Sequence, residues 1–313
     1  MTMTEPTNIT DYAPPTAQQM EQHLRDFPPT PPSPLISMVP LAVLAAAFVM
    51  LLIPQGPTAY LALILVAGML VWLANRVRKQ RQLSTTVAQL QEKATLRYWP
   101  DALASAWRIL PAVAAWPTLH ARVIAAMAHC LDQLRAFDAA IVTYDYLIKR
   151  VPSNHPGTVQ LQLHRTMAQL ASDHLADADD ALRQLRKIPA VAEPQSPNVL
   201  SAMYRLAYLI QQVRTRHWDD AVAQSQNLEQ DLRPLGVEAG YGYALMSLSY
   251  HQLPVELDVN VDRPKQSATW WSRATLLLPP GELTKRFNEL APLVTDPAVA
   301  VATSPSLPPQ ISR

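Results

Sequence analysis

Glycine is scarce in this chain, with seven in 313 residues, and cysteine occurs once, at Cys130. So few glycines leave little backbone for phosphate-cradling loops, and neither G-x-x-x-x-G-K-[ST] nor G-x-G-x-x-G occurs. A single cysteine excludes an intramolecular disulfide and suits a reducing compartment. Cys130 lies in an apolar helical stretch and reads as a small core residue. The eight histidines show no ligand spacing such as H-E-x-x-H. Asp173, Asp177, Asp179 and Asp180 lack the alternating ligands and central glycine of a calcium loop, and read as a helix N-terminus instead. Adjacent Trp270 and Trp271 point about 100° apart on a helix, which suits packing better than a ligand cage. No catalytic residue, metal ligand, cofactor site or small-molecule substrate is therefore expected, and the chain reads as a non-enzyme.

One-sided charge is missing as well. Five of the 26 basic and four of the 25 acidic residues precede Gln82, which leaves 21 of each beyond it. A nucleic-acid surface would need a basic excess, so that function is excluded.

Charged side chains are absent from Phe27 to Asn75, and the stretch ends at the basic cluster Arg76, Arg78, Lys79 and Arg81. Two apolar runs, residues 35–53 and 58–74, flank Pro54-Gln55-Gly56-Pro57. A helix rises about 1.5 Å per residue, so each run approaches the roughly 30 Å hydrocarbon core. The spacing predicts a transmembrane helical hairpin over 35–75, turned by Pro and Gly. A buried hairpin and a re-entrant one are the alternatives. The basic flank places the N-terminus and the C-terminal region on the cytoplasmic side. The expectation is an integral membrane protein, with Arg76, Arg78, Lys79 and Arg81 in a juxtamembrane segment (76–88) touching lipid headgroups.

Ahead of the hairpin, residues 1–34 carry Pro14, Pro15, Pro28, Pro29, Pro31, Pro32 and Pro34, a composition that predicts a disordered tail. Within it Met20, Leu24 and Phe27 fall at i, i+4 and i+7, the pattern of a short amphipathic helix over Ala17–Phe27. Residues 291–313 are likewise expected to be disordered.

Alanine, leucine and glutamine dominate the middle of the chain, which favours an all-α fold. Successive apolar stripes suggest helix pairs. The clearest runs from Ala121 to Pro152, with Ile124, Met127, Ala128 and Leu131 on one helix and Ala140, Tyr144 and Leu147 on the next. Counting Ala121 as one, Ala128 is eighth, Phe137 seventeenth, Ala140 twentieth, Tyr144 twenty-fourth and Pro152 thirty-second. That spacing resembles a tetratricopeptide repeat. Ile124 and Leu131 stand where the family has aromatics, and Leu147 where it has a small residue. Trp99 to Ala102 and Trp218 to Ala221 echo the aromatic-x-x-Ala segment, Ala181 with Leu185 and Ile188 supplies another second helix, and Ala268 another. Alanines 102, 140, 181, 221 and 268 stand 38 to 47 residues apart, so the repeats are degenerate.

The resemblance implies an α-solenoid over 89–290 whose concave face binds a protein or peptide. Membrane-anchored bacterial members of this plan imply an inner-membrane location and a membrane-associated partner. The groove positions it implies are Arg122, Ala125, His129 and Asp132, with Tyr204, Tyr208 and Tyr241 in later units. The expected function is a membrane-anchored interaction scaffold or assembly factor. The alternative is a small subunit of a transporter or membrane complex in which the hairpin is the working part.

Overall fold

The computed structural model describes residues 13–30, 43, 45, 56–151, 156–192, 198–254 and 262–295. Among them every regular element is helical. The chain divides into two units, Met1–Lys149 and Arg150–Arg313. The first contains α1 (Ala17–Asp26), α2 (Gly56–Thr95), α3 (Trp99–Val113), α4 (Pro117–Gln133) and α5 (Phe137–Ile148). The second contains α6 (Pro156–Ala171), α7 (Leu175–Leu185), α8 (Pro189–Ala192), α9 (Val199–Arg214), α10 (Trp218–Ala223), α11 (Leu228–Leu232), α12 (Ala239–Gln252), α13 (Arg263–Leu277), α14 (Pro280–Arg286) and α15 (Ala291–Thr295). Proline sits in the first turn of α3, α4, α13 and α14, where its missing N–H costs nothing and its fixed φ suits the helix.

Helices pair in sequence order. In the first unit the C-terminal part of α2 packs on α3, α3 on α4 and α4 on α5, and α4 also meets α2. In the second, α6 pairs with α7, α9 packs on both, α12 packs on α9 and α10, and α13 packs on α12. Each unit is thus a stack of helix pairs.

Four of the pairs close through the same turn. Arg97, Arg135, Asp173 and Arg216 adopt φ of 66°, 64°, 61° and 60°. In the first turn the amide of Arg97 donates to the Ala94 carbonyl and that of Tyr98 to the Lys93 carbonyl, at 3.1 and 3.0 Å. Arg135 and Ala136 repeat this with Asp132 and Leu131, and Arg216 and His217 repeat it with Val213 and Gln212. His174 donates to the Gln169 carbonyl in the remaining turn. This is a Schellman closure, which satisfies the last carbonyls of the first helix. Glycine is its usual occupant, and here non-glycine residues take the left-handed conformation at a cost of about 1–2 kcal/mol each.

Beyond each turn a buried alanine lets the second helix approach. Ala102, Ala140, Ala178 and Ala221 are fully buried, and their amides donate to the carbonyls of Tyr98, Ala136, His174 and His217. Trp99, Phe137 and Trp218 open α3, α5 and α10, so the aromatic-x-x-Ala segments fall where second helices start. The expected register slips in two places. Ala178 takes the position assigned to Ala181, because Leu175 replaces the aromatic that starts the helix. Near the C-terminus the buried small residue is Ser267, not Ala268. There the Ser247 hydroxyl donates to the Ser267 carbonyl at 2.7 Å, and the Ser267 hydroxyl to the Ser247 carbonyl at 3.0 Å.

The expected transmembrane hairpin is corrected. Among the described residues no helix is long and apolar enough to cross a membrane. Residues 35–53 lie outside the described residues except for Val43 and Ala45. Residues 58–74 form no span of their own, being part of the single 40-residue helix α2. The physical reason lies at its expected end: beyond Asn75 the chain runs Arg76 to Leu83 with no proline or glycine, and all of these but Val77 are strong helix formers. The helix therefore runs on through the basic cluster to Thr95. The integral-membrane location, the cytoplasmic orientation and the membrane-anchored plan rested on that hairpin and are withdrawn with it.

The tails expected to be disordered lie partly outside the described residues. The described part of the first contains α1, which matches the i, i+4, i+7 pattern, and that of the second contains α15.

Candidate functional site

Among the described residues, helix α1 packs on a helix more than 100 residues away in sequence. Its N-terminus is a capping box: the Gln19 amide donates to Thr16 Oγ1 at 3.3 Å, and the Thr16 amide to Gln19 Oε1 at 2.9 Å. Ten residues are too few for a helix to persist alone, so its order depends on docking. It lies along α5 with Met20 and Leu24 only 0 and 1 % exposed. Burying such side chains is worth about 1.5–3 kcal/mol each.

Polar and ring contacts fix its register. The His23 ring stacks on Trp107 of α3, with centroids 3.7 Å apart and planes 7° apart, and meets Phe27 edge-on at 5.1 Å. Nε2 of His120, on α4, donates to the Phe27 carbonyl at 2.9 Å, which places the proton on that nitrogen. The Thr30 amide donates to the Ala114 carbonyl at 2.9 Å. Burial lowers the His23 pKa from its ordinary 6.5, while a backbone hydrogen bond with Trp107 and the charge of Asp26 oppose the shift. His23 Nε2 is buried with no hydrogen-bond partner among the described residues. Beside it Gln19, Gln22, Asp26, Ala104 and Arg108 line a shallow hollow.

The residues expected to line a groove fall into two sets. In the first unit Arg122 is exposed on α4 and donates to Gln91 of α2 at 2.6 Å, so it bridges two first helices. His129 is half-buried on the same helix, while Asp132 is buried and cannot present its carboxylate to a partner. In the second unit Tyr204 is 7 % exposed and stacks on the half-buried Tyr208 at 6.4 Å, and burial raises its pKa. Half-buried Tyr241 meets Phe287 edge-on at 5.8 Å. Arg122 and His129 share the first-helix side of one unit. The Tyr204–Tyr208 pair belongs to α9 of the other unit, and Tyr241 to α12.

The seat of α1 is on the opposite, second-helix side of the first unit, and the sequence pointed elsewhere. Trp107 and His120, which form that seat, carry no mark in the sequence; only the apolar spacing of Met20, Leu24 and Phe27 shows.

Other candidates resolve into structure. The Cys130 thiol is buried and its pKa is pushed up to about 12 by that burial, so it is protonated packing. Asp179 pairs with Arg183 and accepts from Gln211 of α9 at 2.7 Å, and Arg214 bridges Asp173 and Glu289 at 3.1 and 2.7 Å. These acids brace helices. No group of side chains among the described residues could hold a metal ion. Trp270 and Trp271 are buried, and Trp270 packs against Tyr243 and beneath Arg273.

The basic cluster is also reassigned. Arg76 lies over the rings of Trp72 and Trp116, 5.3 and 5.4 Å from their centroids, and so clamps α2 to the α3–α4 turn. Arg78 and Arg81 border a hollow with Leu70, Leu73, Ala74 and Val77 on α2, and Lys79 is exposed. With no membrane span among the described residues, the expected headgroup contacts and membrane-lipid partner are withdrawn.

No protein-family model, no curated protein and no solved structure matches this chain. The resemblance to membrane-anchored tetratricopeptide proteins is corrected accordingly. Its aromatic-x-x-Ala signal marks the start of the second helix in three of the four pairs closed by this turn, and the buried alanine is shared by all four. What stands is, among the described residues, an all-helical fold of stacked helix pairs.

Proposed function

We propose that this chain is a helical-repeat protein that makes protein contacts and carries no chemistry of its own. The observation that supports the reading is α1: the second-helix side of the first unit already holds an amphipathic helix from some 80 residues earlier in sequence, through apolar, stacking and backbone contacts. Surfaces built from helix pairs suit that mode of recognition, in which an amphipathic helix lays its apolar face in a groove. The first-helix residues Arg122 and His129, and Tyr208 of the second unit, are the further contact candidates. The membrane-anchored scaffold and the hairpin-based transporter subunit are not part of this reading, because both needed the membrane hairpin.

The test is crosslinking and co-purification with the tagged full-length chain, beside full-length variants carrying Arg122→Ala with His129→Ala, and Tyr208→Ala. A partner held by the parent and lost from one still-helical variant is the expected result. Equal recovery by all three would remove these residues from the contact surface.

A further inference from the structure

We propose that the seat of α1 is a helix-binding groove whose resident occupant is exchangeable, and that the partner it fits is an amphipathic helix with apolar side chains at i and i+4, a flat ring at i+3, and a short non-helical segment after it. This rests on the reading of the chain as a contact protein and specifies one surface and the chemistry of its ligand.

Each element of that specification is already occupied in the first unit. Met20 and Leu24 fill the i and i+4 sites and are fully buried. His23, at i+3, lies flat on Trp107. The carbonyl of Phe27, at i+7, accepts from His120, and the amide of Thr30, at i+10, donates to the Ala114 carbonyl. The groove thus reads a helix and then a short non-helical stretch of backbone. Backbone contacts of this kind accept many sequences, whereas the two apolar sites and the ring platform select among them.

Three observations make the occupant exchangeable. A ten-residue helix does not persist undocked, so releasing it unfolds only a short local segment. Its outward face carries the exposed Glu21–Arg25 pair and contributes nothing to the seat. The fit is imperfect at the ring platform, where His23 Nε2 is buried without a hydrogen-bond partner among the described residues. Because α1 is tethered, its effective concentration at the groove is on the order of millimolar, and a free competitor must bind well below that to displace it.

The experiment uses the full-length chain, a full-length variant with Met20→Ala and Leu24→Ala that vacates the groove, and a labelled synthetic peptide spanning residues 13–30. The peptide is expected to bind the variant at roughly micromolar concentration and the parent at least about tenfold more weakly, because tethered α1 competes. A peptide with His23→Ala should bind the variant more weakly than the native peptide, because it takes the ring off Trp107, and Trp107→Ala in the variant should abolish binding. Binding to neither protein, or equally to both, would overturn the proposal. Should the variant unfold, hydrogen exchange of the parent decides: α1 amides exchanging faster than those of α3 and α5 support exchange, and equal rates make α1 part of the core and overturn it. A stable dimer of the parent that the peptide disperses would assign the seat to a second copy and overturn the external partner. The peptide measurement involves no cellular partner, so its failure is distinct from failure of the co-purification test.

Discussion

The α4–α5 joint of the first unit and the α12–α13 joint of the second reach the same close helix approach by different chemistry. In the first, the small residues are alanines, Ala128 and Ala140, and the Schellman turn at Arg135 sets the register between them. In the second, Ser247 and Ser267 exchange hydroxyl-to-carbonyl hydrogen bonds, and a connection of about ten residues joins the helices. Where the chain is short between helices, the turn fixes the register and the joint needs only small size. Where the connection is long, the joint itself must carry the register, and polar directionality supplies it.

The comparison breaks most visibly at the alanine joint. Ala140→Leu should destabilise the first unit by about 3 kcal/mol, because a larger side chain at a fully buried joint position overpacks it. Urea denaturation followed by helical circular dichroism measures it, and a loss below about 1 kcal/mol would show that the joint has slack. Ser247→Ala should cost about 1–2 kcal/mol, since it removes one buried donor and leaves the Ser267 carbonyl without it. Adding Ser267→Ala should cost clearly less than the sum of the two single changes, because the two hydroxyls act on each other; an additive cycle would deny that coupling.

A smaller effect separates the first unit from the second by pH. Docking holds His23 below its ordinary 6.5, so the seat favours the neutral ring. The stabilisation is complete above that ordinary value and is lost as pH falls through it toward the lowered value in the docked state. Asp26 on α1 and Arg108 on α3 line the same hollow, and the Asp26 carboxylate works against the shift. Acidification should therefore speed hydrogen exchange of α1 selectively, leaving α9 and α12 unchanged, and His23→Phe should remove the pH dependence. The smallest change is a gain: Arg135→Gly relieves a left-handed non-glycine residue and should stabilise by about 0.5–1 kcal/mol. Asp173→Gly should gain less, because it also removes the ion pair with Arg214.

Much of the pairing was legible. Trp99, Phe137 and Trp218, each three residues before an alanine, mark second helices because helix starts and close joints both constrain residue type. The turns between them were not legible, since the left-handed position holds Arg or Asp where glycine would have announced it. Leu175 hid the start of α7 for the same reason, shifting the register from Ala178 to Ala181. Met20, Leu24 and Phe27 reveal a helix, but its seat depends on Trp107 and His120, some 80 to 100 residues away, and no local pattern encodes that. The hairpin failed at its boundary: absence of charge was read as a span, and nothing in the sequence from Ala74 onward stops the helix.

Helix α2 carries a mechanical consequence. Its C-terminal part is gripped by the core through Val87, Leu90 and Ala94, and Arg76 holds it between two tryptophans. Upstream of that clamp Tyr60, Leu63, Ile64, Leu70 and Val71 are exposed by 56 to 74 %. Residues 56–75 reach roughly 30 Å past the fulcrum, so a tilt of about 5° at Arg76 would swing the far end by about 3 Å. By lever geometry, a small change of angle at the tryptophan clamp is magnified at the far end of the arm.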